Sequence, residues 1–205
     1  MSRLKLYYAN PSRAIRPRWL LEEIGVPYDL VRLNLDAGDQ RKPEYLAINP
    51  NGTVPTLVDG DLTLFESAAI CEYLADEFPD KDLAPPLGTP ERGLYYQWMH
   101  YAMSSLDAHV ITIFHHTSVL PEAERIPALA EECTHRLAAA IEVVERALQG
   151  REYILGSTFG AADVMVGSCV IWAGSAGLVA PERTATHAYA ARLAARPAFR
   201  RAIAD

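Results

Sequence analysis

The hydrophobic period changes several times along this chain. Leu4-Lys5-Leu6-Tyr7-Tyr8 alternates and is rich in strand formers, until Asn10-Pro11-Ser12 breaks it. Ile15, Trp19, Leu20 and Ile24 then recur at helical spacing, and Gly25 stands where a helix ends on a left-handed residue. With Ser12 as N-cap, Pro17 removes one intrahelical bond and crowds the carbonyl of Arg13, so the first turn is distorted or the regular helix starts later. Tyr28 to Leu33 reads as a second strand, and Leu35 to Ile48 as a polar, weakly helical connection. Leu57-Val58, Asp59-Gly60-Asp61 and Leu62-Thr63-Leu64 form a tight antiparallel hairpin. A helical pattern follows through Ile70, Tyr73, Leu74, Glu77 and Phe78, with Ser67 at the N-cap and Pro79 as the stop.

This order is β-α-β-α-β-β-α, and the first domain is expected over residues 1–79. Residues 80–90 read as a linker, because Pro79 to Pro90 holds four prolines and one glycine. Residues 91–205 read as an all-helical domain: a long helix from Glu91 to about His116, a second from Ala123 to Leu148, a third from Gly160 to about Gly177, and two shorter ones after Pro181 and Pro197. In the third, Gly160 serves as N-cap with Asp163 at N3.

Composition narrows the function classes. Among 205 residues, half are apolar and 22% charged, as in globular domains. The net charge of −7, with no basic block, argues against a nucleic-acid surface. Met1-Ser2-Arg3-Leu4 leads directly into a strand, so no signal peptide is expected, and no apolar run reaches membrane length. Cys71, Cys133 and Cys169 are scattered, without a CxxC, which points to a reducing compartment and no thiol relay. The six histidines lack metal spacing, and no metal is expected.

The chemistry concentrates at Asn49-Pro50-Asn51-Gly52-Thr53-Val54-Pro55-Thr56-Leu57. Asn51-Gly52 marks a turn, Pro55 cannot donate to a ladder, and Val54 before it is driven into extended conformation. Val54 therefore presents backbone groups that need a partner. A few residues later, the helix start at Ser67 attracts a carboxylate, and Glu66 offers the charge that suits an ammonium. A ligand carrying both groups on one carbon satisfies the pair, and its peptide can then add to Val54 like an extra strand.

A Val-Pro before a hairpin, followed by Glu-Ser opening a helix, resembles the glutathione-binding half of the cytosolic glutathione S-transferases. Ser12-Arg13 and Arg16-Pro17-Arg18, with Trp19-Leu20-Leu21-Glu22-Glu23, look like bacterial, fungal and plant members, and a bacterial-type member is expected. The resemblance implies a thioredoxin-like N-terminal domain followed by the helical one, and a cis Val54-Pro55 bond. It implies glutathione as co-substrate, its cysteinyl backbone paired with Val54 and its γ-glutamyl end held by Glu66 and Ser67. It also implies a homodimer, a cytoplasmic location, a role in detoxification, and a small hydrophobic electrophile as second substrate, with no nucleic acid, membrane or metal involved. Isomerase, dehalogenase or peroxidase chemistry on the same site, and a non-catalytic binding module, are the alternatives.

Conjugation needs a thiolate, and an ordinary thiol with a pKa near ~8.5 is only slightly ionised at neutral pH. Lowering that pKa by two units takes about 2.7 kcal/mol of preferential stabilisation. A hydroxyl and helix-start N–H groups can supply it. Ser12, Tyr7 and Asn10 are the candidates, with backbone N–H groups alone as a fourth possibility. Arg13 and Asn51 are further candidates for glutathione contacts. The second substrate is expected against the first long helix of the helical domain, where Tyr101, Ser105 and His109 share a face at four-residue spacing.

Overall fold

The computed structural model describes residues 4–204, so the expectation about Met1-Ser2-Arg3 lies outside the described residues. The chain divides into two compact units: the chain up to Leu83 together with the chain from Arg196 on, and Ala84–Ala195.

The first unit is built on a four-stranded sheet of β1 (Leu4–Tyr8), β2 (Tyr28–Arg32), β3 (Thr56–Asp59) and β4 (Leu62–Phe65) in the order β2-β1-β3-β4. β1 runs parallel to β2 and antiparallel to β3, and β3 antiparallel to β4. Between them lie α1 (Ile15–Ile24), the short α2 (Pro43–Leu46) and α3 (Ser67–Glu77). This is the thioredoxin-like arrangement expected from the order of elements. Leu6, Trp19, Leu20, Leu21, Leu57, Ile70 and Leu74 form its core, each at most 1% exposed.

Pro17 is accommodated by a delayed helix start. Ile15 and Arg16 donate their N–H groups to the carbonyls of Ser12 and Arg13, three residues back. Regular helix begins at Ile15, with Ala14 at the cap position that was expected for Ser12. Pro17 then falls in the first turn, where its missing N–H costs no helical bond.

The C-terminal helix α9 (Pro197–Ile203) belongs to this unit, not to the helical one where residues up to 205 were expected. Phe199 meets Trp19 edge to face at 4.8 Å, and Arg18 Nη2 donates to the Ala204 carbonyl at 2.6 Å. Arg196 grips both carboxylate oxygens of Glu23 at 2.6 and 2.8 Å. α9 is too short to be stable alone, and these contacts decide where it docks.

The second unit is helical. Its first helix runs continuously from Pro90 to Val119, as α4 (Pro90–Tyr101), a π-helical stretch Ala102–Asp107, α5 (Ala108–Phe114) and a second π-helical stretch His115–Val119. α6 (Pro127–Ala147) starts later than expected, with Pro127 in its first turn. α7 (Ala161–Ser175) and α8 (Thr184–Ala194) complete the unit. Gly160 caps α7: Asp163 accepts the Gly160 N–H at 2.9 Å, and its other oxygen accepts Ile154 N–H and the Tyr189 hydroxyl, both at 2.8 Å. No helix among the described residues is long and apolar enough to cross a membrane.

Candidate functional site

The sheet register collects the functional segments. Tyr7 pairs with Thr56, and Thr56 pairs with Phe65. The end of β1, the start of β3 and the end of β4 therefore lie side by side at one end of the sheet. Ser12 follows the first, Val54-Pro55 precedes the second, and Glu66-Ser67 follows the third. Segments far apart in the chain are thus gathered at one end of the sheet.

At the β1 end, Ser12 Oγ donates to the Ala9 carbonyl at 2.5 Å and accepts the Ala14 N–H at 3.1 Å. Ser12 therefore caps the turn ahead of α1, although the regular helix starts three residues on. Asn10 is exposed beside it, and the Asn10-Pro11 bond is cis. Tyr7 is half-buried, its ring tilted against Tyr45 with centroids 5.5 Å apart. Arg13 is half-buried in the same turn.

The loop before β3 is locked from below. Asn49, fully buried, donates to the Thr53 carbonyl at 2.9 Å and to Thr56 Oγ1 at 3.0 Å, and its Oδ1 accepts the Asn51 N–H at 3.0 Å. The Tyr45 hydroxyl also donates to the Thr53 carbonyl, at 2.6 Å. Burial raises the pKa of this phenol, against the opposing pull of its bonds with Thr56 and Asn49, so it stays protonated as a donor. Gly52 has φ +60, and a Cβ there would stand 2.8 Å from the Gln40 carbonyl and 2.9 Å from Arg41 Nη1. The turn thus requires glycine for both conformation and space. Asn51 is exposed, and its carbonyl accepts from Arg41 Nη1 at 3.3 Å. Val54-Pro55 is cis, as expected, and neither backbone group of Val54 is hydrogen-bonded among the described residues.

Two parts of this loop were not singled out from the sequence. Asn49 and Tyr45 act as anchors, and Arg41 brings a cation against the loop. A buried Asn beside a turn is a weak signal in one sequence, because only the fold shows which carbonyl it meets.

At the β4 end, the helix cap is Glu66, not Ser67. Glu66 has φ 74 and ψ 115 and is exposed, and Ser67 is the first helical residue. A non-glycine residue in that conformation carries strain of order 1–3 kcal/mol, a feature that clusters at ligand-binding positions. Glu66 makes no side-chain cap bond, and Ser67 Oγ accepts from Arg16 Nη1 at 3.2 Å. Cys71, one turn on, is buried, and burial pushes its thiol far up, so it is inert there.

The residues expected around the second substrate sit in the helical unit. The Tyr101 hydroxyl donates to the Ala140 carbonyl at 3.2 Å, and its ring meets Trp98 at 5.3 Å. Ser105 is half-buried in the π-helical stretch beside Ser104. Burial lowers the pKa of His109, helped by the Arg136 charge and opposed by Glu132. A π-helical stretch, Ala102–Asp107, lies between Tyr101 and His109, so the regular α-helical spacing assumed for the three does not hold there. No group of three or more potential metal ligands occurs among the described residues.

Comparison with known proteins agrees with this geometry. The family described as "Glutathione S-transferase, N-terminal domain" matches residues 2–76, and "Glutathione S-transferase, C-terminal domain" matches residues 127–204. The chain is 34% identical to glutathione S-transferase F10 of Arabidopsis thaliana, over 77% of this chain and 73% of that protein. It is similar to the crystal structure of a theta class glutathione S-transferase of Xanthomonas axonopodis pv. citri with glutathione bound, with 32% identity, TM-score 0.86, and coverage of 100% of this chain and 99% of that one. A Burkholderia graminis glutathione transferase, with two glutathione molecules bound per subunit, matches at 28% identity and TM-score 0.89, over 98% and 88% of the two chains. With both family domains matched and relatives of this identity across most of its length, the chain belongs to the glutathione S-transferase family and is a glutathione transferase.

Proposed function

We propose that this transferase binds glutathione at the sheet end formed by Ser12, Val54 and Glu66-Ser67, and adds its thiolate to a small hydrophobic electrophile. The observation that carries the reading is Val54, which follows an anchored loop and leaves its backbone groups unused among the described residues. The cysteinyl backbone of glutathione pairs there like an added strand. Its γ-glutamyl ammonium meets the Glu66 carboxylate, and its α-carboxylate meets the start of α3 at Ser67. Arg13, Arg41 and Asn51 are the groups near the loop for the glycyl end. Ser12 stabilises the thiolate, with Tyr7 and Asn10 as its competitors for that role.

Tyr101, Ser105 and His109 remain the candidate contacts of the electrophile, Tyr101 through its ring because its hydroxyl serves Ala140. The protein acts as a homodimer, a reading supported by the edge strand β4, where Leu62 and Phe65 are 39% and 41% exposed. Sedimentation as a monomer at micromolar concentration would remove it. A cytoplasmic location, supported by three free and buried cysteines, and placement among bacterial-type members and a detoxification role complete the reading.

Retention on immobilised glutathione, followed by assay against a panel of electrophiles, tests the function. Retention with thioether formation from at least one electrophile is expected. Retention with no conjugation would leave a binding module, or an isomerase, dehalogenase or peroxidase if turnover on those substrates appeared instead.

A further inference from the structure

Ser67 is in an unusual position for a residue that opens a helix. Glu66 occupies the cap position, so Ser67 is the first helical residue rather than the cap. Its Oγ lone pair is taken by a guanidinium, Arg16 Nη1, at 3.2 Å. Arg16 itself is 2% exposed, a full positive charge held inside the first unit in the first turn of α1. A buried charge is expensive, so what it faces matters. Its field also reaches Cys71, one turn further along α3, where it opposes the effect of burial.

We propose that Arg16 is a positioning residue for the γ-glutamyl carboxylate, acting through the Ser67 hydroxyl. With Oγ accepting from Arg16, the one hydroxyl proton of Ser67 must point elsewhere, toward the site. A hydroxyl that accepts from a cation is polarised and becomes a stronger donor. The chain Arg16 N–H to Ser67 Oγ, then Ser67 O–H to carboxylate, delivers the buried charge to the ligand without exposing the guanidinium. Ser67, only 2% exposed, forms the floor of the site beneath the exposed Glu66. The arrangement therefore selects a ligand carrying a carboxylate next to its amine over one carrying the amine alone. This rests on the reading that Ser67 receives that carboxylate.

The test compares dissociation constants, by calorimetry, for glutathione and for γ-aminobutyryl-cysteinylglycine, which lacks only the α-carboxylate. The ratio of the two constants is measured for the wild type, Ser67→Ala, Arg16→Gln and Arg16→Lys. The wild type prefers glutathione, and Ser67→Ala reduces that preference. Arg16→Gln reduces it by roughly three- to tenfold, toward the lower end of the coupling seen within one hydrogen-bond network. In the Ser67→Ala background, Arg16→Gln has no further effect on the ratio. Arg16→Lys, which is shorter and lacks the guanidinium fork, lies between the wild type and Arg16→Gln. Loss of packing alone would weaken both ligands equally and leave the ratio unchanged. A wild-type ratio in Arg16→Gln overturns the proposal, and a wild-type ratio in Arg16→Lys does so if Arg16→Gln does not fold. If Ser67→Ala also leaves the ratio unchanged, the placement of the carboxylate at Ser67 fails instead.

Discussion

Ser12 Oγ donates its proton to the carbonyl of Ala9 at 2.5 Å. A serine hydroxyl has one proton, so Ser12 must release Ala9 to donate to the glutathione sulfur. Its second partner, the Ala14 N–H at 3.1 Å, can stay in place, because it uses an Oγ lone pair. The exchange trades a neutral acceptor for a thiolate, which is favourable, since charge-assisted hydrogen bonds are about twice as strong as neutral ones. Ser12→Ala is expected to raise the pKa of bound glutathione while changing its affinity little. Thiolate absorbance against pH is the measurement, with Tyr7→Phe and Asn10→Ala in parallel. A shift in Tyr7→Phe with none in Ser12→Ala would make this a transferase of the tyrosine type.

Asn49 holds the loop before β3 by three hydrogen bonds from a fully buried position. Asn49→Ala leaves the Thr53 carbonyl to Tyr45 alone and strips Thr56 Oγ1 of one donor. The expected cost is about 1–3 kcal/mol of stability, the penalty for buried polar groups losing partners. The KM for glutathione should rise as Val54 loses its fixed position. Urea unfolding together with steady-state kinetics checks both, and an unchanged KM would detach Val54 from the anchor.

Glu66, proposed above to meet the γ-glutamyl ammonium, has a strained backbone at φ 74 and ψ 115. Glu66→Gly relieves strain of order 1–3 kcal/mol, against about 0.5–1 kcal/mol of extra chain entropy in the unfolded state. A net gain of about 1 kcal/mol is expected, together with weaker glutathione binding. Glu66→Ala should weaken binding to a similar degree with no such gain. A loss of stability in Glu66→Gly would show that the side chain, not the ligand, justifies the conformation.

Glu145 on α6 caps the start of α8, accepting Thr186 N–H and hydroxyl at 2.8 Å each and Ala185 N–H at 3.1 Å. Burial alone would raise its pKa, but these bonds and the Arg183 charge outweigh it, and the net shift is downward. A carboxyl depressed in the folded state adds stability above its unfolded pKa and loses it as the pH falls through the folded value. Glu145→Gln should therefore cost about 1–2 kcal/mol at neutral pH, in the range of a lost helix cap. The difference from the wild type should shrink in acid. Urea midpoints at several pH values test this, and a pH-independent difference would mean that the carboxylate charge plays no part.

Local patterns determined most of what the sequence revealed by itself. Strand alternation at Leu4–Tyr8, helical spacing from Ile15 to Ile24 and the Asn51-Gly52 turn each depend on neighbours a few residues away, and each occurs in the structure where expected. The gathering of the segments around Ser12, Val54 and Glu66 at one end of the sheet follows from the strand order and register, which the structure supplied. Relationships over long sequence distances were decided only by tertiary structure. α9 joins the first unit because Phe199 finds Trp19 and Arg196 finds Glu23, 173 positions away. Ser67 yields the cap to Glu66 and takes Arg16 as partner, and a π-helical stretch interrupts the first long helix between Tyr101 and His109. In each of these the local propensity is weak or ambiguous, and the energy comes from burial and from polar partners that only the folded chain brings within reach.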